Sequence, residues 1–139
     1  MSYKAINAYQ KDSLKQQLSG ADPHKITLML MAGALERLAY AKGCIDRKDL
    51  SGKSQYLSKA TAIILNLRDT IDMDTNREFS ENLYALYNYM LDQIGVSNMD
   101  NNSAPLDEVS ALLSPIRDAW AAIPDAAKQD AFAQKQVTG

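Results

Sequence analysis

Apolar residues recur along this chain at intervals of three and four, the spacing that gathers side chains on one face of an α-helix. No segment sustains the alternation with a period of two that would predict a strand. Few prolines and glycines interrupt the pattern. The pattern predicts an all-α fold with four main helices within residues 22–123, a mobile N-terminal arm (residues 1–21) and a polar C-terminal tail (residues 124–139).

The first helix is expected to begin at Asp22-Pro23 and to run to about Arg47. Aspartate accepts free amide hydrogens at a helix start, and proline suits the first helical position. The apolar residues of this helix predict two faces: Ile26, Leu30, Ala34, Ala41 and Cys44 on one, and Leu28, Met31, Leu35 and Leu38 on the other. Such a helix needs cover on more than one side, and Gly33 suggests that the backbone of a neighbouring helix approaches closely.

The second helix is expected to begin between Asp49 and Ser54 and to present one apolar seam. Leu65 falls outside that seam, so it is either a second contact or an isolated exposed leucine. For the third helix, Thr75 and Glu78 match a capping box, in which the two residues satisfy each other's backbone amides. The third helix then continues into the most apolar segment of the chain.

The fourth helix is predicted from about Pro105 to Ala122, with a single apolar face and a bend at Pro115, which removes one amide donor. Short connections between successive helices favour antiparallel neighbours. We therefore expect an antiparallel up-down-up-down four-helix bundle, formed by a single domain over residues 1–139.

Composition narrows the functional classes. The chain has 139 residues and a net charge of −2, which gives no electrostatic reason to bind nucleic acid or anionic lipid. Its single cysteine, Cys44, cannot form an internal disulfide and fits a reducing compartment. No apolar run is long enough to span a membrane, so the sequence predicts a soluble cytoplasmic (cytosolic) protein without membrane insertion.

Residues for catalysis or metal binding are scarce. A di-iron site in a helical bundle needs two Glu-x-x-His pairs, but His24 is the only histidine. Asp72, Asp74 and Asn76 resemble the start of a calcium loop, yet Arg77 stands where that loop requires glycine. We therefore expect no catalytic residues, no metal, no cofactor and no enzyme activity.

More apolar surface is present than one bundle core requires. The first helix is predicted to have two apolar faces, and the third helix carries Tyr84, Tyr87 and Tyr89 close together. Two interpretations remain open: the N-terminal arm folds over the excess, or a partner protein covers it. Tyrosine suits a surface that is alternately wet and covered.

The order and spacing of several segments resemble the flagellin export chaperones (FliS) of bacterial flagellar secretion. The resemblance begins at residues 5–9 (AINAY) and continues through 22–26 (DPHKI) and 28–35 (LMLMAGAL). Residues 81–90 (ENLYALYNYM) and 116–120 (IRDAW) complete it. Departures include Met31, where the family often has an aromatic, Asn76-Arg77, where glycines are frequent, and Pro115.

This resemblance implies a cytoplasmic helical bundle that binds the disordered C-terminal segment of flagellin in apolar grooves and prevents premature polymerisation. It also implies delivery to the receptor domain of the flagellar type III export gate. In this family the N-terminal arm can cover part of the groove and takes part in that delivery, and Ile6 and Tyr9 match the positions involved. The protein is expected to be a monomer or a weak homodimer without its client.

Six residues are predicted to line the flagellin-binding groove: Ile26, Leu30, Met31, Tyr84, Tyr87 and Leu91. Each is also compatible with a place in the core, most of all Leu30 and Tyr87, which lie at the centres of their apolar stripes. The alternative hypothesis from a different class is a self-associating bundle that serves as a structural or adaptor protein.

Overall fold

The computed structural model describes residues 22–123 and contains four α-helices. These are α1 (Pro23–Asp46), α2 (Leu50–Asp69), α3 (Arg77–Asp100) and α4 (Ala104–Ala121). Residues 22–123 contain no strand, so the all-α prediction is confirmed and its helix boundaries lie close to the observed ones. The predicted arm (1–21) and tail (124–139) lie outside the described residues.

Leu28–Ala122 forms one compact unit, and residues 22–27 and Ile123 belong to a second. In the larger unit, contacts between successive helices run in opposite directions. The ring of Tyr40 on α1 contacts the ring of Tyr56 on α2, while Ile63, further along α2, lies beside Gly33. This order confirms the predicted antiparallel bundle.

The core lies along the centre of the bundle and receives side chains from all four helices. Its members are Met31, Ala34, Leu38, Ala41, Ile45, Leu57, Ala60, Ile64, Leu67, Leu83, Tyr87, Met90, Ile94, Leu106, Val109 and Leu113. Burial of this apolar surface is the main force that holds the bundle together.

The prediction of two apolar faces on α1 is wrong. The buried residues of α1 form one stripe between the two predicted faces, represented by Met31, Ala34 and Leu38. Leu30 and Leu35 flank this stripe and are half-buried, packing against the core. The reason is that the contacts of α1 with α2, at Gly33 and Tyr40, and with α4, at Lys42, lie on either side of this stripe, so the stripe faces the space between those two helices.

Side chains cap the starts of α2 and α3, and the capping box predicted at Thr75 and Glu78 is wrong. At α2, Asp49 accepts a hydrogen bond from the backbone N–H of Gly52 at 3.0 Å. At α3, Asn76 is the cap and accepts from the N–H of Phe79 at 3.2 Å. Thr75 instead donates its hydroxyl hydrogen to Asp72, which holds it outside the helix.

A buried lysine ties the end of α3 to the start of α2. The Nζ of Lys53 donates to the carbonyl oxygen of Asn98 at 3.1 Å and to the side-chain oxygen of Asn101 at 3.2 Å. Asn101 adopts the left-handed conformation that ends α3. The ammonium group therefore satisfies acceptors at the negative end of the helix dipole.

Helix α4 continues through Pro115, whose side chain is exposed. Ala111, whose carbonyl the proline ring crowds, is also on the exposed side. The predicted single apolar face is present, with Leu106, Val109 and Leu113 buried. The bend expected at Pro115 stays a prediction.

Candidate functional site

An open groove of about 460 Å³ runs between α2 and α3. Leu57 and Ile94, both part of the core, lie at its base, and the remaining lining residues are Ser54, Ser58, Thr61, Ala62, Leu65, Leu91, Gly95 and Asn98. None of the lining side chains is charged. The groove therefore suits an apolar segment that also offers a few polar atoms to the hydroxyl groups.

Small side chains keep the groove wide. Apart from Leu57 and Ile94 at the base, and Leu65, Leu91 and Asn98, every lining residue is a serine, threonine, alanine or glycine. A Cβ atom built at Gly95 would meet no atom within 4 Å. Small residues at such positions allow the backbone of a second helix to approach closely, as they do in tight helix pairs.

Arg68 and Tyr84 extend this side of the bundle beyond the groove. The guanidinium group of Arg68 lies over the ring of Tyr84, 5.5 Å from its centroid, and donates to the side-chain oxygen of Asn88 at 2.8 Å. The cation–π contact and the hydrogen bond fix the edge of α3 that faces α2. The Tyr84 side chain itself remains exposed.

Of the six predicted groove residues, the structure places two in the core. Met31 and Tyr87 are each only 1% exposed, and both belong to the central cluster. Burial raises the pKa of Tyr87 to about 12, because the ionised phenolate would lose its hydration. In this conformation neither side chain offers surface to a partner.

Tyr84 and Leu91 lie together on the α2 side of α3 and have surface available. Leu30 and Ile26 are half-buried on α1. Because α1 contacts α2 and α4, it lies diagonally across the bundle from α3. The structure therefore does not bring Leu30 and Leu91 into one groove. Ile6 and Tyr9 lie outside the described residues.

Sequence reasoning missed Gly95 and the polar wall of the groove. Gly95 interrupts a helical pattern, which is a signal for close approach by a neighbour, and Leu65 stood outside the predicted seam of α2. Leu65 lines the groove and is half-buried. Leu65 lies in the α2 wall of the groove and Gly95 in the α3 wall. Periodicity within one helix could not show that these two residues line the same groove.

Other chemistry is sparse in the described part of the chain. Residues 22–123 contain no group of three or more histidine, cysteine or acidic side chains arranged to hold a metal ion. The Sγ atom of the buried Cys44 lies 3.7 Å from the Nη2 atom of Arg47 and 3.8 Å from the Oδ2 atom of Asp49. The four helices are also each too short or too polar to cross a membrane.

Comparison with known proteins gives consistent results. The family model described as flagellar protein FliS matches residues 5–127. The chain is 40% identical over 117 residues to flagellar secretion chaperone FliSB of Pseudomonas aeruginosa, covering 84% of this chain and 93% of that relative. It is 40% identical over 120 residues to flagellar secretion chaperone FliS of Vibrio cholerae, covering 86% and 88%.

A solved structure described as a flagellar chaperone from bacteria has the same fold. Its TM-score with this chain is 0.68 at 16% sequence identity, and the match covers 84% of this chain and 94% of that one. At this identity the likeness is evidence for the fold alone.

Proposed function

This chain belongs to the family of flagellar protein FliS, and we propose that, as an export chaperone of this family, it binds the C-terminal segment of flagellin. The segment is disordered before assembly and forms helices along apolar surfaces of the bundle. Binding prevents premature polymerisation in the cytosol, and the complex is then delivered to the receptor domain of the flagellar type III export gate.

The open groove between α2 and α3 is the observation that carries this proposal. It has an apolar base, no charged lining residue and room along its length. These are the properties of a surface that accepts an amphipathic helix. Part of the interaction energy is spent in ordering the client, so affinity is lower than the buried area alone would suggest.

Gly95 supports the same assignment. A glycine inside a helix is about 1 kcal/mol less favourable than alanine. Because nothing lies within 4 Å of its missing side chain, packing within the bundle does not explain this cost. A client helix that approaches α3 closely at this position does explain it.

Tyr84, Leu91 and Leu65 are the proposed client contacts on this side of the bundle. Leu30 and Ile26 are proposed as contacts of a different client stretch along α1, since a long segment can follow more than one face. Met31 and Tyr87 would support the grooves from within the core. Ile6 and Tyr9 remain proposed contacts of the arm or of the export gate.

The direct test is isothermal titration of a flagellin C-terminal segment into the full chain. Changing Tyr84→Ser together with Leu91→Ser should weaken binding at least about tenfold, because two apolar contacts are lost. Met99→Ser is the matched control, since Met99 is also on α3, is 84% exposed and does not line the groove. Equal affinity of the double variant and the control would contradict the proposed site.

A second variant separates binding from folding. Gly95→Ala should raise the free energy of unfolding by about 0.5 to 1 kcal/mol, because alanine favours helix. The same methyl group should weaken client binding about tenfold by overfilling the contact. Gly33→Ala, with ordinary contacts at 3.4 and 3.7 Å, is the control for stability, since the added methyl group favours helix there as well. Client binding that is unchanged in Gly95→Ala would contradict the placement in the α2–α3 groove.

The alternative of a self-associating bundle predicts a different state in solution. Exposed apolar side chains such as Leu50 and Phe79 favour this alternative. If the chain is an export chaperone, sedimentation should show a monomer or weak dimer that becomes a one-to-one complex with the flagellin segment. A tight dimer that excludes the segment would favour self-association instead.

A further inference from the structure

The side of α3 that faces α4 carries a second apolar surface. Phe79, Leu86, Tyr89 and Val96 recur at helical spacing, and each side chain is between 37% and 57% exposed. We refer to these four residues as the outer stripe. Tyr89 contacts α4 through Glu108, whereas the groove residues of α3 line the opening towards α2. The outer stripe and the groove are therefore separate surfaces.

Carboxylates border the outer stripe. The hydroxyl of Tyr89 donates to Glu108 at 2.5 Å. Asp92 lies one helical turn from both Tyr89 and Val96, and Asp100 lies one turn beyond Val96, so these side chains are neighbours on the helix surface. Within residues 22–123, none of Asp92, Asp100 and Glu108 takes part in an ion pair.

The charges of the two halves of the bundle differ in sign. Residues 77–121, with α3 and α4, carry seven carboxylates and two arginines, a net charge of 2 − 7 = −5. Residues 28–69, with most of α1 and all of α2, carry seven basic and four acidic side chains, a net charge of 7 − 4 = +3. The net charge of the whole chain is close to zero, but the half that carries the outer stripe is negatively charged.

We infer that the outer stripe, bordered by Asp92, Asp100 and Glu108, is a docking surface for a basic amphipathic helix of another protein. The apolar side of that helix would cover Leu86, Tyr89 and Val96. Its lysines or arginines would form ion pairs with these carboxylates, which accelerates association and selects against acidic partners. This inference does not rest on flagellin binding in the groove.

A second copy of the chain is a weaker candidate for this surface. Pairing two outer stripes would bring like charges together. Pairing the acidic half of one copy with the basic half of another is a head-to-tail contact, which repeats into open chains unless the rotation closes a ring. A basic segment of a different protein avoids both outcomes.

The test uses a designed helical peptide with a leucine ridge flanked by lysines, long enough to span Phe79 to Val96. A second peptide has the same ridge flanked by glutamates. Fluorescence anisotropy with the full chain should detect binding of the lysine peptide that weakens as salt is added, and at least about tenfold weaker binding of the glutamate peptide.

Variants then locate the contact. Leu86→Ser with Val96→Ser should weaken binding of the lysine peptide about tenfold, and Asp92→Asn with Asp100→Asn about threefold to tenfold. Met29→Ser on α1 is the control, because Met29 is comparably exposed and distant from the stripe. Circular dichroism establishes that each variant is folded.

Five results would overturn the inference. These are equal binding of both peptides, unchanged binding by Leu86→Ser with Val96→Ser, and an equal loss from Met29→Ser. The fourth is binding that requires removal of residues 1–21, which would identify a segment of this chain as the occupant. Displacement of the lysine peptide by the flagellin segment would likewise show that the stripe is part of the client site and not a separate surface.

Discussion

Tyr87 and Leu91 lie one turn apart on α3, yet they belong to different regions of the molecule. Tyr87 is enclosed in the core, whereas Leu91 lines the open groove beside α2. Both are large apolar side chains in the same run of sequence. Their difference arises from position around the helix axis, since Leu91 lies nearer to the side that faces α2.

The comparison separates two tasks that one helix performs. Side chains at the centre of the stripe stabilise the bundle and have no surface left for a partner. Side chains at its edge contribute less to stability but remain available for binding. Substitutions at the centre of the stripe should therefore lower stability more than client binding, and substitutions at its edge should lower client binding more than stability.

The largest expected effect on stability comes from the core. Tyr87→Ala should lower the free energy of unfolding by about 3 to 5 kcal/mol, because it leaves a cavity among packed side chains. Leu91→Ala should cost only about 1 to 2 kcal/mol, since Leu91 is half-buried. Urea denaturation measures both, and equal losses would show that the groove edge is as tightly packed as the core.

High pH should expose the same difference without removing the side chain's volume. The pKa of Tyr87 is raised from 10.0 to about 12 by burial. Between these values the unfolded chain has released a proton that the folded chain retains, so stability falls as the pH rises. The loss should approach about 1.4 kcal/mol per pH unit.

Tyr87→Phe is the control for this pH dependence. From pH 10 to about pH 12, the wild type should lose stability relative to Tyr87→Phe, because phenylalanine has no hydroxyl proton to release. A difference that does not change with pH would mean that the Tyr87 hydroxyl is hydrated in the folded protein.

The end of α3 beside the groove can be tested through Lys53. Lys53→Met should cost about 1 to 3 kcal/mol, because it leaves the carbonyl of Asn98 without its partner. Lys59→Met is the matched control on the exposed face of α2 and should have almost no effect. Thermal unfolding of the two variants compares them directly, and similar melting temperatures would show that water replaces the ammonium group.

The smallest effect concerns the start of α3. Asn76→Ala should cost about 1 kcal/mol, the usual contribution of a helix cap. Thr75→Ala should cost less, because Thr75 bonds to Asp72 outside the helix. A larger loss from Thr75→Ala than from Asn76→Ala would restore the capping box expected from sequence.

The fold was predictable because local rules were sufficient for it. Helical periodicity, the helix start at Asp22-Pro23 and short connections each act over a few residues, and they agree on four antiparallel helices. The start of α3 was misplaced because Thr75 and Asn76 are both good caps, and the choice depends on Asp72, which holds Thr75.

The candidate site was less predictable because it depends on contacts between distant residues. The positions of Tyr84 and Leu91 at the edge of the α3 stripe follow from helical spacing. That they face Leu65 and Arg68 of α2, and not α1, depends on the packing order of the helices. Periodicity within one helix also could not show that Met31 lies at the centre of the α1 stripe.

The most direct test of the account is nuclear magnetic resonance of the labelled chain during titration with the flagellin C-terminal segment. We predict that the backbone amides of Leu65, Leu91 and Gly95 shift most among residues of α2 and α3, while that of Met99 stays near its original position. Shifts confined to other faces of the bundle, with these three amides unchanged, would contradict the account.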